Sequence, residues 1–272
     1  MKTFDFLCIM ATNSNKDVVY DQIESLFWGL GSNFGLIIVN DGNNELNFSQ
    51  SNIFTIKPKG TIHSASKVGF KINEGLKWAL ENNINFKCAM ILDDDALIIN
   101  RGLSDWFIEK FEKNKNLGMI AVGDDNLANK NYSDKSKHET YKNLLFNWIG
   151  TRKIIIPKKY AFYAVNFQSY NMIRFFHEKK LLDYEKEKWP YPCETFQTII
   201  CNSLDFEIEL HGQYPDNLVP PLYVMHHGSK NPMDPRNLPK SFLIHHSIRH
   251  VKNVGEWEIR KFYRKKRINK LL

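Results

Sequence analysis

The stretch Ala89-Met90-Ile91-Leu92-Asp93-Asp94-Asp95-Ala96-Leu97-Ile98-Ile99 decides how the rest of the chain reads. An apolar run enters three consecutive carboxylates, and a second apolar run leaves them. Aspartate is a poor strand former and costly to bury without a partner. The economical reading is therefore a buried strand whose end projects its acids into a cleft. Neighbouring side chains on a strand point to opposite faces, so Asp93 and Asp95 are expected to share one face and Asp94 to take the other. Two carboxylates on one face make a hard-oxygen site for Mg²⁺ or Mn²⁺. Such an ion can bridge a diphosphate and stabilise it as a leaving group. The competing reading is a solvated acidic turn between two strands.

Upstream, the same punctuation recurs. Phe4 to Met10 is a short apolar run that stops at Ala11-Thr12-Asn13-Ser14. Val18, Val19, Ile23, Leu26, Phe27 and Leu30 then recur at helical spacing, which predicts a helix from about Lys16 to Leu30, capped by Ser14 or Asn15 and ended by Gly29-Leu30-Gly31. Gly35 to Val39 is a second apolar run, stopping at Asn40-Asp41-Gly42. Strand, helix, strand with continuously apolar strands implies a parallel sheet with a right-handed crossover. Ligands of open α/β sheets sit beyond the carboxyl ends of the strands. Thr12, Asn13, Asp41 and the three aspartates all fall at such ends, so three polar clusters are expected at one edge. Ile53 to Ile56 reads as a further strand. A helix from Ser66 to Glu81 follows, with Lys67, Lys71 and Asn73 near its start, where cations and backbone N–H groups can meet a diphosphate. Solvated helix lysines are the plainer alternative.

Downstream, Ser104 to Lys113 reads as an amphipathic helix and Leu117 to Val122 as a strand. The polar, aperiodic stretch from Gly123 to His138 reads as a loop. Phe162 to Phe176 reads as a strand and helix. Trp189-Pro190-Tyr191-Pro192 is a rigid approach to Glu194, with a helix over Thr195 to Ser203. An acid in that place suits a general base, and equally a first-turn acid favoured by the helix dipole. After a strand at Phe206 to Leu210, Pro220 to Met225 runs into His226-His227. Two adjacent histidines at a strand end, in a chain with paired aspartates, point to metal ligation. His245, His246, Arg249 and His250 lie on an amphipathic pattern in the tail.

The 272 residues suit one large domain or two small ones, and 43% hydrophobic with 25% charged residues excludes a disordered chain. Four scattered cysteines without a CxxC pair suggest a reducing compartment. No apolar run approaches the roughly 18 residues of a membrane helix, and no leader is evident, so a cytoplasmic protein, either soluble or peripheral at the inner face of a membrane, is expected. The net charge of +7 is concentrated in Arg260 to Arg267. Basic residues interleaved with aromatics fit a solvated helix end, an anionic membrane surface or nucleic acid.

In this order the motifs resemble those of the GT-A glycosyltransferases, particularly the family 2 group. Leu36 to Gly42 is similar to that family's second-strand motif, with Asp41 as the retained acid and Asn40 in place of the other. Lys71 to Leu76 resembles its Arg-Asn-x-Gly helix start. Asp93-Asp94-Asp95 resembles the DXD motif. Pro192 to Thr195 stands where the family has Glu-Asp with the catalytic base, and Val224 to His227 resembles its late strand ending in a metal-binding histidine. The resemblance implies a GT-A fold, a single Rossmann-like, mixed and mostly parallel sheet flanked by helices. A catalytic domain over 1–229 would comprise a nucleotide-binding half (1–100) and an acceptor half (101–229), and 230–272 would form a basic helical extension. It also implies a metal-dependent, inverting hexosyl- or N-acetylhexosaminyl-transferase using Mn²⁺ or Mg²⁺ and a nucleotide-diphosphate sugar, UDP-sugars favoured. The acceptor would be a glycan or lipid-linked hydroxyl, in glycan assembly. Thr12, Asn13, Asp41, Lys67, Lys71, Asn73, Asp93 and Asp94 would hold the nucleotide. Asp93, Asp95 and His226 or His227 would hold the metal. Glu194 would be the base; Thr195 replaces the family's Asp, so either Glu194 serves or the base lies elsewhere. A nucleotidyltransferase, or a non-catalytic nucleic-acid-binding protein using the basic tail, is the alternative.

Overall fold

The computed structural model describes residues 2–59, 68–124, 142–143, 145–147, 150, 155, 160–183, 193–214, 220–224, 237–250 and 254–269. In chain order the strands are β1 (Lys2–Thr3), β2 (Phe6–Thr12), β3 (Phe34–Asn40), β4 (Ile53–Ile56), β5 (Ile84–Asn85), β6 (Cys88–Asp93), β7 (Leu97–Ile98), β8 (Leu117–Asp124), β9 (Tyr160–Ser169), β10 (Glu207–Tyr214), β11 (Leu222–Val224) and β12 (Ile244–His246). The helices are α1 (Lys16–Leu30), α2 (Val68–Glu81), α3 (Leu103–Lys113), α4 (Tyr170–Glu178), α5 (Cys193–Ser203) and α6 (Glu256–Asn269).

Seven strands form one sheet in the order β10-β8-β9-β6-β2-β3-β4. Only β9 runs against the others, antiparallel to both β6 and β8. The architecture is thus a mixed, mostly parallel sheet flanked by helices. Every residue of β2 and β3 is buried, because helices cover both faces, and this is why their sequences read as unbroken apolar runs. On β2, Phe6, Cys8 and Met10 pack with Val19, Ile23 and Leu26 of α1. Leu7, Ile9 and Ala11 pack with Ile72 and Leu76 of α2 on the other face. Gly75 sets how closely α2 sits: a Cβ there would meet Ile9 Cγ2 at 2.8 Å and Val39 Cγ2 at 3.0 Å. Asn15 caps α1, its side chain accepting from Val18 N at 3.1 Å, and Gly31 closes it at φ 78°.

Register aligns the carboxyl ends of the central strands. Thr12 lies opposite Asn40, and Ala11 opposite Asp93. The ends of β2, β3 and β6 are therefore level, and the polar residues that follow them meet.

The segment expected as a basic helical extension holds a helix, α6, and also a strand. β12 lies between β11 and β7, parallel to the first and antiparallel to the second. Strand bonding wins over the helical pattern because Ile98, Ile244 and Leu222 bury together, and Phe242 and Ile248 join Leu97, Ile99, Ile259 and Tyr263 in a second cluster. The polar stretch 125–138 lies outside the described residues.

α6 is tied to α1 by charge. Arg260, 1% exposed, donates to Asp21 Oδ2 at 2.8 Å and to the Asp94 carbonyl at 2.9 Å. Arg267 Nη2 donates to Asp21 Oδ1 at 2.5 Å. Asp21→Ala takes from two buried guanidinium groups the carboxylate they share, leaving Arg260 only Glu256 at 2.8 Å, so we expect a loss of about 3–5 kcal/mol. Urea denaturation followed by circular dichroism measures it, and a change below about 1 kcal/mol would contradict the reading.

Candidate active site

The site is built around a turn. β6 ends at Asp93, and Ala96 N donates to the Asp93 carbonyl at 3.1 Å. Asp94 and Asp95 are thus turn residues, and the strand alternation expected for them does not apply. The reason is backbone bonding: the turn redirects the chain into β7, and the three carbonyls after that of Asp93 are claimed from elsewhere. Arg260 takes the carbonyl of Asp94, Ile248 N that of Asp95 at 3.1 Å, and Gln22 Nε2 that of Ala96.

The turn still brings Asp93 and Asp95 together, on one side, against a residue from the tail. His245 pairs with Leu97 across the β12–β7 ladder, which places His246 over the turn. His246 Nε2 lies 3.2 Å from Asp95 Oδ1 and 3.6 Å from Asp93 Oδ2. One ligand atom from each of the three falls within 4.8 Å of the other two. Ser247 Oγ donates to Asp95 Oδ2 and fixes that carboxylate. Asp95 is buried, while the Asp93 side chain, 32% exposed, faces the opening.

Asp94 has a different part. Its Oδ2 accepts from the Thr12 hydroxyl, and its Oδ1 pairs with Arg249 at 2.8 Å. Arg249 also reaches Ser14 Oγ at 2.7 Å and Glu256 at 3.3 Å. Asp94 therefore joins the β2 loop to the tail.

These charges set the protonation states. Burial works against a charged His246, but Asp95 and Asp93 outweigh it and push its pKa up to about 9. Burial likewise opposes ionisation of Asp95, yet His246, Ser247 and Arg249 hold it well below the usual carboxylate range. Asp93 is raised, by removal from water and by the neighbouring carboxylates, against the help of His246. His245, on the opposite side of β12, is pushed down to about 3 by burial and by His246; it packs edge-on to Tyr263 at 6.2 Å. Adjacent histidines thus hold opposite charge states. A pocket that drives an imidazole to take up a proton is one that attracts a cation, and two carboxylates with an imidazole are a fitting donor set for a divalent ion.

The second polar cluster lies beside the first. Asp41 N donates to the Thr12 carbonyl at 2.9 Å. The Asp41 carboxylate pairs with Lys71 at 2.9 Å, both side chains under 10% exposed, so Lys71 is not the solvated helix lysine of the plainer reading. Asn40 organises the turn, accepting from Gly42 N at 2.9 Å and donating to the Asn44 carbonyl at 2.8 Å. Asn73 is buried, and its Oδ1 has no hydrogen-bond partner among the described residues. Asn13 is exposed at the same edge. Lys67, His226 and His227 lie outside the described residues. Glu194 falls in the first turn of α5, and its side chain is likewise not described.

His246, Ser247, Arg249 and Arg260 are the residues that motif reading did not assign. Their signal was present: Phe242-Leu243-Ile244 is a short apolar run that stops at polar residues, as the site-forming strands do.

No protein-family model matches the chain, and no curated protein matches its sequence. Among solved structures it is similar to a glycosyltransferase involved in the glycosylation of the major capsid of PBCV-1, at 10% identity over 96% of this chain and 98% of that one, TM-score 0.46. It is also similar to the galactosyltransferase LgtC in complex with donor and acceptor sugar analogues, at 13% identity over 95% of each chain, TM-score 0.49. A third is the mannosyltransferase PcManGT from Pyrobaculum calidifontis in complex with GDP-Man and Mn²⁺, at 9% identity over 76% of this chain and 54% of that one, TM-score 0.42. These are likenesses of chain trace, and no residue role passes from them to this chain.

Isothermal titration with Mn²⁺ tests the cluster. His246→Ala and Asp95→Asn each remove a ligand and should weaken binding by more than about 100-fold; Ser247→Ala removes only the group that orients Asp95 and should cost about 10- to 100-fold. Equal affinity in all four proteins would contradict the assignment.

Proposed function

We propose that this chain is a metal-dependent glycosyltransferase of the GT-A type. It moves a sugar from a nucleotide-diphosphate donor, UDP-sugars favoured, to an acceptor hydroxyl with inversion, in glycan assembly. The observation that carries the reading is the Asp93, Asp95 and His246 cluster at the carboxyl edge of a mostly parallel sheet. The mixed carboxylate and imidazole set favours Mn²⁺ over Mg²⁺. A bound divalent ion supplies Lewis-acid charge to a departing diphosphate. His246 supplies the imidazole of that set; His226 and His227 lie outside the described residues.

The chain's own groups supply the remaining work. Thr12, Asn13, Asp41 and Asn73 hold the nucleoside, with Asn73 Oδ1, which has no hydrogen-bond partner among the described residues, as an acceptor for a base N–H. Lys71 fixes Asp41, and Lys67, ahead of α2, adds positive charge toward the phosphates. Asp94 acts through Thr12 and Arg249, which it keeps in position. Arg249, half-buried at the rim, stabilises the negative charge that develops on the leaving group. Glu194 accepts the proton of the acceptor hydroxyl as that oxygen attacks the anomeric carbon, a single displacement that inverts the centre. The acceptor is a hydroxyl of a glycan or a lipid-linked sugar.

Thermal unfolding against a nucleotide panel, with and without Mn²⁺, tests the reading, because a ligand of the folded state alone must raise the midpoint. A Mn²⁺-dependent rise with UDP is expected. A rise with nucleoside triphosphates alone would favour nucleotidyl transfer and overturn it.

Glu194→Gln separates base from scaffold. Its kcat should fall by at least about 100-fold, with the UDP shift retained and the product of opposite anomeric configuration to the donor by NMR. Full turnover in that variant would remove Glu194 from the mechanism.

A further inference from the structure

Asp95 is aimed by its backbone. Ser247 Oγ holds its Oδ2, which leaves Oδ1 on the side of His246, 3.2 Å away. An aspartate side chain is short, so with Oδ2 fixed the peptide groups on either side decide where Oδ1 stands. One helix governs both of them. The Asp94 carbonyl accepts from Arg260 Nη2 at 2.9 Å, and Arg260 Nη1 donates to Asp21 of α1 at 2.8 Å. The Ala96 carbonyl accepts directly from Gln22 Nε2. Consecutive residues of α1, Asp21 and Gln22, thus reach the carbonyls that come before and after that of Asp95.

Gln22 is a costly residue for this place. It is fully buried, and its helix neighbours Val19 and Leu26 pack in the core. Its Nε2 serves Ala96, while its Oε1 has no hydrogen-bond partner among the described residues. Turning the amide over gives no relief, because Oε1 would then face the Ala96 oxygen and Nε2 would lose its acceptor. A buried amide oxygen without a donor costs stability. Methionine, of similar length, would exchange that orphan for another, the Ala96 oxygen. Stability alone therefore does not call for glutamine. The seat of α1 is fixed separately. Gly29, two turns on along the same face, lies so close to β7 that a Cβ there would overlap Ile98 Cγ2. Packing at Gly29 sets the helix, and the Gln22 amide carries that placement to the turn.

We infer that Gln22 is a positioning residue of the metal site. Through the Ala96 carbonyl it holds the exit of the turn, so that Asp95 Oδ1 stays grouped with Asp93 and His246. It acts through Asp95 alone. The inference rests on the reading of that cluster as a metal centre.

Titration calorimetry of the full chain with Mn²⁺ is the test, well below the unfolding midpoint of every protein compared. Gln22→Met should weaken Mn²⁺ by about tenfold or more, as removal of a group that orients a ligand does. Ser25→Ala is the control. The Ser25 hydroxyl, also buried, donates to the Gln22 carbonyl at 2.8 Å and bonds to no residue of the turn among the described residues. That variant should bind Mn²⁺ as the wild type does. Equal affinity of wild type and Gln22→Met, or an equal loss in both variants, would overturn the inference. A wild-type chain that takes up no Mn²⁺ would remove the metal centre itself, and the inference with it. A second measurement needs no variant and stands even if Gln22→Met fails to fold. Zn²⁺ is diamagnetic and suits the same donors. Titrated into ¹⁵N-labelled wild type, it should move the Gln22 side-chain N–H signals in step with binding. Signals that stay in place at saturation would overturn the assignment.

Discussion

Three adjacent carboxylates at the end of a buried strand are a liability that the rest of the structure is arranged to offset. Asp94 and Asp95 are buried too deeply to stand there as isolated anions. The tail answers each in turn. His246 stands against Asp93 and Asp95, Arg249 against the Asp94 side chain, and Arg260 against the Asp94 carbonyl. The antiparallel ladder between β12 and β7 makes this possible, because it sets the tail beside the residues that follow the acids. Chain ends far apart in sequence thus assemble one site. Asp21 extends the web by anchoring Arg260 and Arg267 to α1.

This arrangement divides labour among similar side chains. Asp93 and Asp95 are left to face an imidazole whose proton a metal ion can replace, while Asp94 is spent on structure. His245 and His246 differ in the same manner, one neutral in the core and one charged against the acids. Position within a turn and on alternating sides of a short strand, rather than residue type, makes the difference. The Asp41–Lys71 pair repeats the principle at the neighbouring strand end, where a buried acid is given its own cation and set beside Asn73.

Much of the fold was legible because the physics that shapes it is local or periodic. Unbroken apolar runs marked β2, β3 and β6, since strands covered on both faces have no polar side. The 3.6-residue period and the caps marked α1 to its last residue. The level strand ends followed from parallel topology, and so the convergence of Thr12, Asp41 and the aspartates could be foreseen. The tail was not legible in the same way. β12 is three residues long, too short for alternation to tell it from a helix turn, and of its two partners the one that carries it to the acids, β7, is distant in sequence, His245 facing Leu97. Asp93 does end a strand, but the turn that carries Asp94 and Asp95 is not legible locally, because the groups that hold its carbonyls, Arg260 and Ile248, are announced by no local pattern. Glu194 rests on its place in a motif, and its described backbone adds only that it stands in the first turn of α5.

The central claim is that the tail histidine completes the acidic site. Pulsed electron paramagnetic resonance of the Mn²⁺-loaded chain addresses it directly, because a ¹⁴N nucleus bound to the ion modulates its echo. The account predicts a nitrogen coupling in the wild type that is absent in His246→Ala at metal concentrations that load both proteins. A spectrum without nitrogen coupling, or one unchanged by the substitution, would contradict it.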